Sequence, residues 1–154
     1  MKLTGAEYRD LIAKYILSNY QDRGIEIFTE VNVGKSIIGK SRRIDLFVYH
    51  KQNNDAFAIE CKYQSTQGTV DEKIPYALED MKKTPMTGCI VYAGEGFSQG
   101  VLHLLQSSEI AAFCFPDENN LHITKDTLEL DHLLAIHFKW WDVLISRKTA
   151  FEYR

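Results

Sequence analysis

Two apolar runs separated by a short polar segment constrain the fold more than any other feature of the sequence. RRIDLFVYH at 42–50 and AFAIECKYQ at 56–64 alternate as β-strands do, and KQNND between them has the composition of a turn. One face of the two strands is apolar and suits a core. The opposite face carries polar side chains, namely Arg43, Asp45, Glu60, Lys62 and Gln64. The sequence therefore predicts a hairpin with one apolar and one charged face.

The length of the turn decides which charged side chains meet. In antiparallel pairing, a four-residue turn made of KQNN places Asp45 opposite Glu60, whereas a turn made of QNND places Asp45 opposite Lys62. A turn with an odd number of residues would direct Asp45 to the apolar face unless a bulge corrected it. The pattern favours an even number and leaves the first two alternatives open.

Two carboxylates beside one lysine leave one acid without a matching positive charge. Repulsion between Asp45 and Glu60 should raise the pKa of one of them, and a divalent cation would relieve that repulsion. Hard oxygen ligands select Mg²⁺ or Mn²⁺. A salt bridge from Lys62 to one of the acids is the alternative that needs no metal.

The elements around the hairpin alternate between helices and strands. A capping box of Thr4 and Glu7 predicts a helix up to about Tyr20, and IEIFTEVNV predicts a strand before the hairpin. A second helix is predicted over 71–83, with Pro75 tolerated only in its first turn. GCIVYAG, SQGVLHLLQSSE and IAAFCF then predict strand, helix and strand, which implies partly parallel pairing.

An apolar segment ends the pattern. Asp126 and Glu129 are placed to cap a last helix that runs to about Ile145 and has little polar surface. We expect this helix to be sandwiched within the fold or to form an oligomer contact. Trp140 and Trp141 lie on it.

Composition limits the class of protein. The 154 residues, 45% hydrophobic and 25% charged, fit a single domain over 1–154, with a core over about 4–116 and a C-terminal helical extension over about 117–154. The apolar runs fall short of the roughly 20 residues of a membrane span, and the N-terminus lacks a signal-peptide pattern. Three widely spaced cysteines suit free thiols in a reducing compartment. We expect a cytoplasmic protein with no membrane partner.

One basic segment stands out against a formal net charge of −3. VNVGKSIIGKSRRI contains Lys35, Lys40, Arg42 and Arg43 and no acidic residue. It suits contact with a nucleic-acid backbone, and it equally suits a solvated loop.

The spacing of Asp45 and the ECK tripeptide at 60–62 resembles the signature of the PD-(D/E)XK nucleases, the restriction-endonuclease-like superfamily. The order helix, three strands, helix, strand over about 4–93 is similar to the α-β-β-β-α-β core of that superfamily. The resemblance implies an α/β fold with a mixed central sheet flanked by helices, to which the apolar C-terminal helix is an addition. Ile44 stands where the motif has its proline, a residue without a chemical role.

The resemblance also implies a function, that of a Mg²⁺-dependent endonuclease that hydrolyses DNA phosphodiester bonds, of the restriction, homing or phage type. Asp45 and Glu60, with the backbone carbonyl of Cys61, would hold Mg²⁺, for which Mn²⁺ can substitute, and no small-molecule cofactor is implied. Lys62 would orient the attacking water and offset charge in the transition state. Because a lysine beside two carboxylates stays protonated, electrostatic stabilisation is favoured over a role as base.

Two further residues have two interpretations each. Gln64 would support the metal ligands or contact a phosphate, or it is a surface glutamine at the end of a strand. Glu7 aligns with an acidic residue that some members of the superfamily use at the metal, and the capping box explains it without a metal.

Three functions stay open on the sequence alone. The first is the DNA endonuclease, a class that also includes Holliday-junction and repair-type structure-specific nucleases. The second is a non-catalytic nucleic-acid-binding protein on the same fold, and the third is an unrelated protein whose hairpin charges form salt bridges. A small domain with one site cuts one strand, so duplex cleavage would require a homodimer or higher homo-oligomer, with the helix of Trp140 and Trp141 as a candidate interface.

Overall fold

The central feature of the computed structural model, which describes residues 2–154, is one five-stranded sheet with helices on both faces. The strands follow the order β1-β2-β3-β4-β5 across the sheet; β1, β2 and β3 pair antiparallel, and β4 and β5 continue the sheet in parallel. The elements are α1 (Gly5–Tyr20), β1 (Ile25–Lys35), β2 (Ser41–His50), β3 (Asp55–Tyr63), α2 (Val70–Lys82), β4 (Gly88–Ala93), α3 (Gln99–Ser107), β5 (Ala111–Phe113), α4 (Leu128–Phe138) and α5 (Trp141–Leu144). This arrangement confirms the predicted α-β-β-β-α-β core and its mixed sheet.

The first helix begins at the predicted capping box. The Glu7 amide donates a hydrogen bond of 3.0 Å to Thr4 Oγ1, and the Thr4 amide donates one of 2.8 Å to Glu7 Oε1. These bonds satisfy two amides that a helix N-terminus otherwise leaves without partners. The buried face of α1 packs on the sheet, where the Tyr8 hydroxyl donates to the Cys114 carbonyl at 2.7 Å.

Hydrophobic cores lie on the two faces of the sheet. On one face, α1 and α4 cover the apolar side of the hairpin, including Leu46, Val48 and Ile59. On the other face, α2 and α3 cover Ile90 and Tyr92 of β4. Because both its faces are covered, β4 is apolar along its length, as its sequence indicated.

Pro75 lies deeper in α2 than the sequence analysis allowed. The helix starts at Val70, so Pro75 is its sixth residue instead of lying in the first turn. The missing amide would have bonded to the carbonyl of Asp71, which is itself in the first turn. The helix nevertheless continues past Pro75 to Lys82. The prediction that Pro75 lies in the first turn was wrong.

The C-terminal segment is not one helix. It breaks at Lys139, whose φ of 64° lies in the left-handed region, and a four-residue helix, α5, follows. Trp140 is buried and stacks on Tyr20 and Phe138, with ring centroids 5.0 and 5.1 Å apart. The predicted continuous helix to Ile145 was thus wrong, because Trp140 packs against α1 only if the chain turns at Lys139.

Two properties of the composition reappear in the structure. Within residues 2–154, no helix is both long enough and apolar enough to cross a lipid bilayer. The three cysteines, Cys61, Cys89 and Cys114, are free thiols. Burial raises the pKa of all three thiols, so they are poor nucleophiles at neutral pH.

Candidate active site

The turn between β2 and β3 sets the register of the charged face. His50 pairs with Asp55 and Leu46 pairs with Ile59, so the four residues KQNN form the turn. This is the alternative that places Asp45 beside Glu60. Two hydrogen bonds from backbone amides to these carboxylates are consistent with it.

Hydrogen bonds join the side chain of Asp45 to β3 and the side chain of Glu60 to β2. The backbone amide of Cys61 donates a hydrogen bond of 2.8 Å to Asp45 Oδ2, and the backbone amide of Asp45 donates one of 3.3 Å to Glu60 Oε1. Each carboxylate therefore accepts a hydrogen bond from the neighbouring strand. The exchange holds both acids at one place on the sheet with little freedom to rotate.

The pKa values of both acids are raised. Burial raises the pKa of Asp45, against the opposing effects of the Cys61 amide and the Lys62 charge. Burial and then the negative charge of Asp45 raise the pKa of Glu60 to about 7, whereas the positive charge of Lys62 lowers it. The positive charge of Lys62 is therefore not enough to offset the effects that favour protonation of the two acids.

This set of donors fits a divalent cation. Carboxylate oxygens are hard ligands that suit Mg²⁺ or Mn²⁺, and a cation would offset the negative charge of the two acids. Across residues 2–154, no three His, Cys, Asp or Glu side chains converge as a metal-binding group. Asp45 and Glu60 would therefore supply two acidic ligands, and further oxygens would come from the backbone, water or a phosphate.

Glu7 does not complete the set. Its carboxylate caps α1 by accepting from the Thr4 amide, and its side chain is exposed. The structure thus gives Glu7 the capping role, and we do not include it among the proposed metal ligands.

A charged cavity adjoins the two catalytic candidates on β3. It has a volume of 390 Å³, and Glu60 and Lys62 line it together with the turn between β1 and β2 and one face of α2. Its other cationic lining residues include Lys40, Arg43 and Lys73. Positive charge therefore collects beside the acid pair although the chain carries a net negative charge.

Arg42 differs from the other residues of the basic segment. Its guanidinium is only 6% exposed and bonds to Asp80 of α2 through Nε at 3.1 Å and a terminal nitrogen at 2.8 Å. The Ile37 amide also donates to Asp80, at 3.0 Å. The Arg42 guanidinium holds the pKa of Asp80 below its usual range. Arg42 ties the β1–β2 turn to α2, and we do not include it among the proposed DNA contacts.

Asp80→Asn should destabilise the protein by about 2–3 kcal/mol, because Arg42 would keep its buried charge without a carboxylate. The expected loss is below that of a fully buried pair, since the Asp80 side chain is 18% exposed. Denaturant unfolding followed by circular dichroism measures it. Glu79→Gln is the matched control, because Glu79 pairs with Lys82 at the exposed surface, and it should change stability by less than about 0.5 kcal/mol. Equal stability of the two variants would contradict this role of Asp80.

Gln64 is neither at the surface nor aimed at the acid pair. It is buried beyond the end of β3. Its amide nitrogen donates a hydrogen bond of 2.9 Å to the Gly96 carbonyl, and its amide oxygen accepts one of 3.0 Å from the Asp71 backbone amide. Gly94, at φ 107°, lies against the Gln64 backbone, so closely that a Cβ there would clash. Gln64 therefore fastens β3 to the start of α2, and neither interpretation from the sequence describes it.

Two residues near Asp45 were missed in the sequence. Glu30 lies opposite Asp45 in the β1–β2 register, between the pairs Thr29–Leu46 and Val31–Ile44. Its carboxylate accepts a hydrogen bond of 2.8 Å from the guanidinium of Arg9 in α1. The negative charge of Glu30 raises the pKa of Asp45, and the positive charge of Arg9 lowers it. Strand pairing would have indicated Glu30, whereas nothing in the sequence relates Arg9 to it.

Comparison with known proteins relates this chain to a family. The sequence model of a PD-(D/E)XK nuclease superfamily domain matches residues 4–141. Among curated proteins, none matches significantly. Similar solved structures include a protein of unknown function, AF1548, at 17% identity and a TM-score of 0.39 over 64% of this chain and 53% of that one. A repair endonuclease from Pyrococcus abyssi is similar at 12% identity and a TM-score of 0.37 over 70% of this chain and 45% of that one. The chain thus spans about half the length of these two proteins. On the family match, the chain belongs to the PD-(D/E)XK nuclease superfamily.

Proposed function

We propose that this protein is a divalent-metal-dependent endonuclease that hydrolyses DNA phosphodiester bonds at Asp45, Glu60 and Lys62. Membership of the superfamily implies nuclease chemistry on a nucleic acid. The observation that carries the proposal is the exchange of hydrogen bonds that fixes Asp45 and Glu60 side by side on neighbouring strands. Buried acids with raised pKa values beside a charged partner are more frequent at functional sites than elsewhere in proteins.

Each residue of the site has a distinct role. Asp45, Glu60 and the backbone carbonyl of Cys61 would hold Mg²⁺ or Mn²⁺. When bound, the ion would supply Lewis-acid polarisation of the phosphodiester and a more acidic water. The Cys61 amide keeps the Asp45 carboxylate oriented. Lys62 places a fixed positive charge where negative charge builds up on the phosphate oxygens.

The surroundings of the site suit a DNA backbone. Lys35, Lys40 and Arg43 lie on or beside the β1–β2 turn and are exposed, and Lys73 reaches the same cavity from α2. Cations in such a cluster bind phosphates without reading the base sequence. We propose these four residues as backbone contacts.

Cleavage of both strands of a duplex requires two copies of the site. We propose a homodimer for that reaction. The C-terminal surface offers apolar side chains for it, since Trp141 is 53% exposed and Ile136 and Ile145 are similarly open. Trp140 is buried within the protomer and cannot contribute.

The proposal is tested by incubating the protein with supercoiled plasmid and with a four-way junction. Reactions contain Mg²⁺, Mn²⁺, Ca²⁺ or EDTA, and a Lys62→Ala preparation purified in the same way reports contaminating nucleases. We expect nicking in Mg²⁺ or Mn²⁺ by the wild type alone. Equal nicking by both preparations, or no cleavage of any DNA or RNA by the wild type, would remove the proposal. Cleavage of RNA only would correct the substrate.

A further inference from the structure

The cavity beside Glu60 and Lys62 has the size of a small-ligand site. Its 390 Å³ lies within the roughly 300–1,000 Å³ typical of such sites. A volume of this size suits a ligand as large as one nucleotide and is too small to enclose a duplex.

The walls of the cavity are tied together. Asp80 of α2 accepts hydrogen bonds from the Ile37 amide in the β1–β2 turn and from the Arg42 guanidinium at the start of β2. Widening the cavity would break this buried ion pair. The narrow shape is therefore a built feature of the fold and not the result of a loosely placed turn.

The lining of the cavity combines the two chemistries that a nucleotide needs. Lys40, Arg43 and Lys73 supply positive charge for phosphates. Tyr76 and Ile38 supply apolar surface and remain 40% and 61% exposed. Cations beside an open aromatic ring form the combination that proteins use to bind single-stranded nucleic acid.

We propose that this cavity binds one unpaired nucleotide next to the bond that is cleaved, with Tyr76 as the stacking surface for its base. The proposal rests on the nuclease function proposed above and narrows its substrate to DNA with single-stranded character, such as a flap, a bulge or a free strand. A fully paired duplex would have to release a base to fill the cavity, at the cost of unstacking it. The same cavity thereby favours a structure-specific nuclease over an enzyme that cuts uninterrupted duplex.

Binding without metal tests the cavity separately from cleavage. In EDTA, fluorescence anisotropy compares a labelled single strand, its matched duplex and the same duplex with one bulged nucleotide. We expect the wild type to bind the single strand at least about tenfold more tightly than the duplex. Tyr76→Ala should weaken binding of the single strand by about 5- to 150-fold, as for loss of one stacked base, with little change for the duplex. A 2-aminopurine base in the strand should be quenched by the wild type and not by Tyr76→Ala.

Two variants serve as controls. Tyr76→Phe keeps the ring and should bind like the wild type. Tyr153→Ala removes an exposed tyrosine outside the cavity and should change nothing. The proposal is overturned if Tyr76→Ala binds the single strand normally, if it loses duplex binding equally, or if the wild type binds no nucleic acid. Binding that depends on Tyr76, without cleavage of any DNA, would contradict the nuclease function alone. Cleavage that is unchanged in Tyr76→Ala would contradict the nucleotide-binding role of the cavity alone.

Discussion

Lys62→Ala should lower the rate of DNA cleavage about 10²- to 10³-fold, the loss typical of removing one group that stabilises transition-state charge. The side chain is partly exposed, so the variant should fold normally. Because the Lys62 charge lowers the pKa of Glu60, its loss should raise that pKa further. The residual cleavage should therefore reach half of its maximum at a higher pH than in the wild type. Single-turnover cleavage across pH 6–9 in Mg²⁺ measures both effects.

Lys51→Ala is the matched control for this result. Lys51 is an exposed lysine of the β2–β3 turn and does not line the cavity. Its removal should leave the rate and the pH profile unchanged. If Lys51→Ala lost as much activity as Lys62→Ala, the effect would reflect total charge and not the position of Lys62. An unchanged rate in Lys62→Ala would show that the lysine has no part in the reaction.

The hairpin shows how far a sequence can predict a site. Alternation along each strand placed Asp45, Glu60 and Lys62 on one face, because the side-chain period of two is a local property of the backbone. The sequence alone could not choose between turns made of KQNN and QNND, since both consist of good turn residues. The structure shows the KQNN turn, since His50 pairs with Asp55 and Leu46 with Ile59.

Features that depend on distant partners escaped the sequence. Arg42 sits in a basic run and looks like its neighbours, and only α2 folding back brings Asp80 to it. Gln64 looks like a surface residue at the end of a strand until the Gly96 carbonyl and the Asp71 amide surround it. The break at Lys139 follows from the docking of Trp140 on α1, which no local pattern reports. In each case a contact between remote segments overrides the local pattern.

Glu60→Gln should abolish cleavage and at the same time stabilise the metal-free protein at pH 8. The folded state raises the pKa of Glu60 from its usual 4.5 to about 7, so the folded protein holds this proton more tightly than the unfolded chain. The stability contributed by the protonated form is complete below pH 4.5 and falls as the pH rises to about 7, by up to roughly 3 kcal/mol. Gln carries no charge and keeps an oxygen that can accept from the Asp45 amide. The variant should therefore lack this fall in stability.

Unfolding of both proteins in denaturant at pH 5 and pH 8, with and without Mn²⁺, measures these differences. Near pH 5 the two proteins should be similar in stability, and at pH 8 the variant should be the more stable one in EDTA. Mn²⁺ should stabilise the wild type, more at pH 8 than at pH 5 because its ligands must be deprotonated, and it should have little effect on the variant. Glu72→Gln, a change in the first turn of α2 at an exposed position, should preserve the response to Mn²⁺.

A Glu60→Gln variant that is less stable than the wild type at pH 8 would mean that Glu60 is kept for the fold. A variant that responds fully to Mn²⁺ would mean that the cation binds elsewhere. Gain of stability together with loss of the metal response is the combination expected of a residue retained for chemistry at the expense of stability.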